Sequence, residues 1–190
     1  MTAKPDFTPE EWRTLERAPV FVAFATLAAD MSGPVGLVKE MEALSQALEE
    51  SNLPPDSDPA HELIAVVAAD LRATQSNGQN WGQILGEGGN PDSERDQERP
   101  SAIPGSGLDF SRPENVKEPA LAACRAAATL LRQRTTAAEA EAFGRWALSV
   151  GRHVAEAAKE GGFLGVGGAL VSGKEHATLN ELAEALGISA

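Results

Sequence analysis

The sequence predicts an all-α protein, a multi-helix bundle of about seven helices that can be grouped as two related helical-hairpin halves. Three observations lead there. Helix-start signatures recur along the chain, apolar residues return every three or four positions between them, and no segment alternates with β-branched residues as a strand would. To these is added a phrase written twice. Phe24-Ala25-Thr26-Leu27-Ala28-Ala29-Asp30 is followed by Gly33 and Gly36, then by Glu40 and Leu44. Val154-Ala155-Glu156-Ala157-Ala158-Lys159-Glu160 is followed by a glycine-rich bend, then by Glu175 and Leu179. Each copy reads as an alanine-rich helix closing on an acid, a glycine turn, and a second helix opening with glutamate.

The elements follow in order. Thr8-Pro9-Glu10-Glu11 offers a capping threonine, proline at the first helical position and glutamate at the third, and predicts a helix over about Thr8–Arg17. A second is expected over Val20–Asp30. Leu37, Met41, Leu44 and Leu48 line one face of a third between Gly36 and Asn52. Asp58-Pro59 starts a fourth over Pro59–Thr74. Ser111-Arg112-Pro113-Glu114 reads as a box opening Glu114–Arg134, and Thr136-Ala137-Ala138-Glu139 opens Ala137–Glu160. The apolar face of that long helix is Phe143, Trp146, Ala147, Val150, Val154 and Ala157. Ser172-Gly173-Lys174-Glu175 opens the last helix, where Leu179, Leu182 and Leu186 repeat and Gly187 marks the stop. Between Gly86 and about Arg112, glycine, proline and mixed charges predict a flexible or irregular loop. One all-α domain over 1–190 with that loop at about 87–112 is the primary reading; two related halves, 1–86 and 113–190, are the alternative.

Composition restricts the function classes. The formal charge is −12, and residues 120–190 carry seven basic and seven acidic side chains, so the excess belongs to the first part of the chain. No basic stripe is present to neutralise phosphates, which argues against nucleic acid. An acidic half suits divalent cations, a basic partner or solvation. Cys124 is the only cysteine, so no intramolecular disulfide forms, and its alanine-rich helical setting predicts a packed thiol. Asp6, Glu10 and Glu11 stand where a signal peptide would be basic and then apolar. The longest apolar runs, Ala18–Ala29 and Gly162–Val171, fall short of the roughly 20 residues that cross a bilayer. A cytoplasmic location without a transmembrane segment is expected.

Chemical motifs are few. Gly168-Ala169-Leu170-Val171-Ser172-Gly173-Lys174-Glu175 has phosphate-loop spacing, but glutamate stands where a hydroxyl must ligand magnesium, and a helix precedes it instead of a strand. His61-Glu62 lacks the second histidine of a zinc-protease helix, and His153 and His176 have no evident triad. No catalytic residue is predicted. Acids at the paired bends, Asp30, Glu40, Glu160 and Glu175, are the candidate metal ligands, because turns gather oxygen donors for a hard cation such as calcium or magnesium. The apolar bend residues Phe163, Leu164, Val166 and Leu170 are the candidate interaction residues.

One family resemblance accompanies this reading. Ala157-Ala158, Glu160-Gly161-Gly162 and Val171-Ser172-Gly173-Lys174-Glu175 resemble the tellurite-resistance-B-like helical family. Its phrase runs alanine–aspartate–glycine, a small gap, then valine–serine–two residues–glutamate. The match covers less than a third of the chain. Glu160 replaces the aspartate and an extra apolar glycine loop separates the halves; the first copy keeps Ala29-Asp30 and Glu40. The resemblance implies an all-helical module associated with stress responses, metal sensing or protein assembly, with a cation site carried by Asp30, Glu40, Glu160 and Glu175. Together these observations predict a non-enzymatic protein that acts through a protein partner or self-association and needs no cofactor. A calcium- or magnesium-binding helical protein is the alternative.

Overall fold

Residues 4–30, 59–76, 84–85, 108–160 and 171–188 are described by a computed structural model of the 190-residue chain. A short 3₁₀ turn, Lys4–Asp6, leads into five long helices: α1 Pro9–Ala29, α2 Pro59–Ser76, α3 Pro113–Arg134, α4 Ala137–Glu160 and α5 Gly173–Leu186. All-α is the fold class among the described residues, which contain no strand. The helix expected between Gly36 and Asn52 and the loop at about 87–107 lie outside the described residues.

Helix starts follow the local signals, with one instructive exception. Thr8, Thr136 and Ser172 each accept from the backbone amide three residues on, while Glu11, Glu139 and Glu175 reach back to the cap amide at 2.8, 2.8 and 2.6 Å. Ser111 does not cap α3. The N-cap is Arg112, with φ −143° and ψ 140° and no side-chain cap bond. Proline at the first helical position forces the residue immediately before it into extended backbone, so a cap must directly precede it. Thr8-Pro9 meets that condition, whereas Ser111 stands one residue too early. It serves a local turn instead: its amide donates to Asp109 Oδ1 at 2.8 Å, and Asn115 bridges Asp109 and Ser111.

Two expected helices over Thr8–Arg17 and Val20–Asp30 are one helix of 21 residues that runs through Pro19. Interior proline removes an i→i−4 bond and costs about 3 kcal/mol. Packing outweighs that here, because every residue from Ala18 to Ala29 is buried and α1 touches all four other helices. Side chains from all five helices merge into one apolar core around it, with Leu15, Phe24, Leu63, Leu131, Phe143 and Leu182 all but inaccessible.

Long-range contacts set the helix directions. Arg134, ending α3, pairs with Glu11, beginning α1, while Phe110 before α3 meets Phe24 late in α1 at 5.7 Å, so α1 and α3 are antiparallel. A Cβ on Gly151 would lie 2.7 Å from Val22, 3.0 Å from Thr26 and 3.3 Å from Leu179; one on Gly144 would meet Ile188. These contacts make α5 antiparallel to α4; Lys117 on Glu181 and Arg132 beside Gly187 make α5 parallel to α3, so α4 runs parallel to α1 and α5 antiparallel to both. The absent side chain at Gly151 lets α4 come this close to α1. α5 ends where the sequence predicts, on Gly187 at φ 75°, and the Ile188 amide returns to the Ala183 carbonyl at 2.9 Å.

Candidate functional site

Directionality brings some of the predicted ligands to one end of the bundle. Parallel α1 and α4 finish at the same end, at Asp30 and Glu160, and antiparallel α5 begins there with Glu175 in its first turn. Their local duties differ. Asp30 is the exposed C-cap of α1, its amide donating to the Leu27 carbonyl at 3.3 Å. Glu175 is buried, and its carboxylate accepts the Ser172 amide. Glu40 and the side chain of Glu160 lie outside the described residues, as do Phe163, Leu164, Val166 and Leu170. Among the described residues no three histidine, cysteine, aspartate or glutamate side chains gather as cation ligands.

The other chemical groups are dispersed. Burial pushes the Cys124 thiol up to about 12, which keeps it protonated and without nucleophilic strength near neutrality. His153 is exposed and its Nδ1 meets its own helix at the Ser149 carbonyl, 2.8 Å away. His176 is exposed on the first turn of α5 and His61 is half-buried on α2. Glu139, 2% exposed, is spent on the α4 cap, where it also accepts the Thr136 hydroxyl at 2.9 Å. The phosphate-loop resemblance ends in the Ser172–Glu175 capping box, with Lys174 exposed beside it.

Among the described residues, a trough and a recess have room for a contact. A shallow trough of about 560 Å³ lies between α1 and α3, floored by Ala126 and Leu130 and rimmed by Glu10, Thr14, Arg125 and Gln133. A deeper recess of about 320 Å³ lies where α3 ends, α4 begins and α5 ends, with Arg132, Glu141 and Arg145 around Leu131, Leu186 and Ile188. In that recess Arg145 already pairs with Glu141 at 2.6 Å.

Sequence reasoning missed one polar cluster among the described residues. Lys4 pairs with Asp70, and the Trp12 indole N–H donates to the same Asp70 oxygen at 2.9 Å. The Lys4 ammonium lies 5.2 Å from the Trp12 ring centroid, and Phe7 packs on Trp12 at 5.7 Å. Glu16, half-buried beside them, is held above the usual carboxylate range by burial first and by the Asp70 charge second. Lys4 and Asp70 are separated by 66 positions, so no local spacing announces the cluster. On another face of α1, Glu11 is held below the usual range, first by the Thr8 amide and then by Arg134.

Comparison with protein-family models, curated proteins and solved structures finds no match to this chain.

Proposed function

We propose that this protein is a helical interaction module, working by contact with a protein partner instead of by catalysis. One observation carries the reading: four chemically capable side chains among the described residues are engaged in holding the fold. Glu139 and Glu175 close helix caps, Cys124 is a buried neutral thiol, and Asp70 joins α2 to Trp12 and Lys4. Facing outward between α1 and α3 is a trough with an apolar floor and a mixed-charge rim, which suits the side of a partner helix. The bend residues Phe163, Leu164, Val166 and Leu170 belong to the same proposal as a second contact surface. A stress-response setting is what the tellurite-resistance-B-like resemblance adds to it.

The test compares the parent chain with Ala126→Arg/Thr129→Arg in the trough and Phe163→Ser/Leu164→Ser in the bend. Purified proteins are followed by sedimentation for self-association and by quantitative affinity capture for partners. The reading expects a reproducible, saturable association that one of the two double variants abolishes while the helical signal is retained. Association unchanged in both, or absent from the parent, would remove it.

A second reading, calcium or magnesium bound through Asp30, Glu40, Glu160 and Glu175, is favoured by the shared bundle end of α1, α4 and α5. Calorimetry on the parent beside Asp30→Asn and Glu175→Gln tests it. Absence of heat in the parent for either ion would exclude that reading.

A further inference from the structure

Resting on the interaction reading above, we propose that the trough between α1 and α3 is the face of a two-fold dimer, and that the partner it fits is a second copy of this chain. Two observations select a copy over another protein. The first is the pattern of charge. Glu10 stands on the α1 wall and Arg125 on the α3 wall, both exposed. Among the described residues neither side chain has a hydrogen-bond or ion-pair partner; only their backbone carbonyls are used, by Thr14 and Thr129. Glu11, in the same trough, is already bound to Arg134.

The position of these two charges is self-complementary. Glu10 adjoins the Glu11–Arg134 bridge, whereas Arg125 lies about 13 Å back along α3 from it, at 1.5 Å per residue. The unpaired acid and the unpaired base therefore sit toward opposite ends of the trough as well as on opposite walls. A two-fold axis midway between them exchanges their positions. Each copy's Glu10 then meets the other copy's Arg125, and the contact occurs twice. A different protein would need an acid and a base in the same reversed order, an order that this surface already carries.

The second observation is what a copy would cover. Ala126 and Thr129 are small and exposed, so two α3 helices can approach closely across them. The Thr14 and Thr129 hydroxyls donate to carbonyls one turn back, at 3.0 and 2.8 Å, so excluding water strands neither donor. Gln133 carries both a donor and an acceptor and can answer either from a copy. The Glu11–Arg134 bridge ties the two walls together, so the surface is formed before a copy arrives. The formal charge of −12 repels copies at a distance, but in about 0.15 M salt that repulsion is screened beyond about 8 Å. Contacts made across the trough are shorter than that.

The experiment measures the dimer dissociation constant of the full chain by sedimentation equilibrium in about 0.15 M salt. It compares the parent, Glu10→Arg, Arg125→Glu and an equimolar mixture of the two variants. The parent should dimerise. Each variant alone brings like charges together at both contacts, which should raise the dissociation constant about tenfold or more. In the mixture the two variants should pair with each other at the parent's affinity, because both contacts are again of opposite sign. Glu10→Arg also gives up a favourable charge at the start of α1, but the mixture retains that loss, so recovery isolates the contact. A monomeric parent, a dimer that either variant leaves unchanged, or a mixture no tighter than the variants alone would overturn the proposal. Those results are distinct from failure of the interaction reading. That reading stands if the parent captures a different protein that Ala126→Arg/Thr129→Arg loses, or dimerises through the bend that Phe163→Ser/Leu164→Ser disrupts.

Discussion

The two halves of α1 are continuous in backbone and opposite in character. From Ala18 to Ala29 every residue is buried and none is charged. From Pro9 to Arg17 the same helix carries Glu10, Glu11, Arg13, Glu16 and Arg17, and it buries only Trp12 and Leu15. The enclosed half is held by packing, which is insensitive to pH and severe when a side chain is removed. The bordered half is held by caps, ion pairs and one indole bond, each weaker, and it carries Glu11 and Glu16, whose proton affinities are shifted. One rod thus separates the source of stability from the source of responsiveness.

The comparison breaks most forcefully at Phe24, 1% exposed and edge-on to Phe110. Phe24→Ala should cost about 3–5 kcal/mol, measured by urea unfolding, because the cavity lies among helices that cannot collapse into it. Gly151→Val comes next. Even its first added carbon would sit 2.7 Å from Val22, so α4 must lift from α1, at about 1–3 kcal/mol in the same assay. Ser172→Ala removes the acceptor for the Glu175 amide and should cost about 1 kcal/mol, with helix loss confined to the start of α5 in amide exchange.

The smallest effect sharpens the contrast within the bordered half itself. Glu11 titrates below its ordinary value of 4.5, so its contribution is present above that value and lost as pH falls through the depressed one. Arg134→Met should remove part of this acid sensitivity from a plot of melting temperature against pH, by slightly lowering the neutral end and leaving the acid end unchanged. Glu16 carries the opposite sign. Glu11 and Glu16, one and a half turns apart on the same helix, should therefore respond to acid in opposite directions.

Local chemistry made much of this molecule legible in advance. Thr8, Thr136 and Ser172 are found capping because a cap is an exchange between residues three apart. The Phe143–Val154 face and the Gly187 stop were equally readable, since periodicity and a left-handed cap need only the neighbouring turn. Reading failed where a distance or a direction mattered. The Ser111 box matched a pattern but ignored that Pro113 dictates the cap one residue later. Of the four bend acids, Glu175 stands in the capping box that the sequence also predicts. Asp70 lay inside an alanine-rich echo and gave no sign that Lys4 and Trp12 would converge on it.

By itself the sequence determined where α1, α2, α4 and α5 begin, which faces of α4 and α5 are apolar, and that the class is all-α. These depend on hydrogen bonds and side-chain periodicity acting within about four residues. Only the tertiary structure decided that α1 continues through Pro19, that α1 and α4 end together, and that Lys4 and Trp12 converge on Asp70. Those outcomes depend on burial and charge shared between segments dozens of residues apart. Packing that encloses Ala18–Ala29 can override the local cost of a proline, and no local pattern states how strong that packing will be.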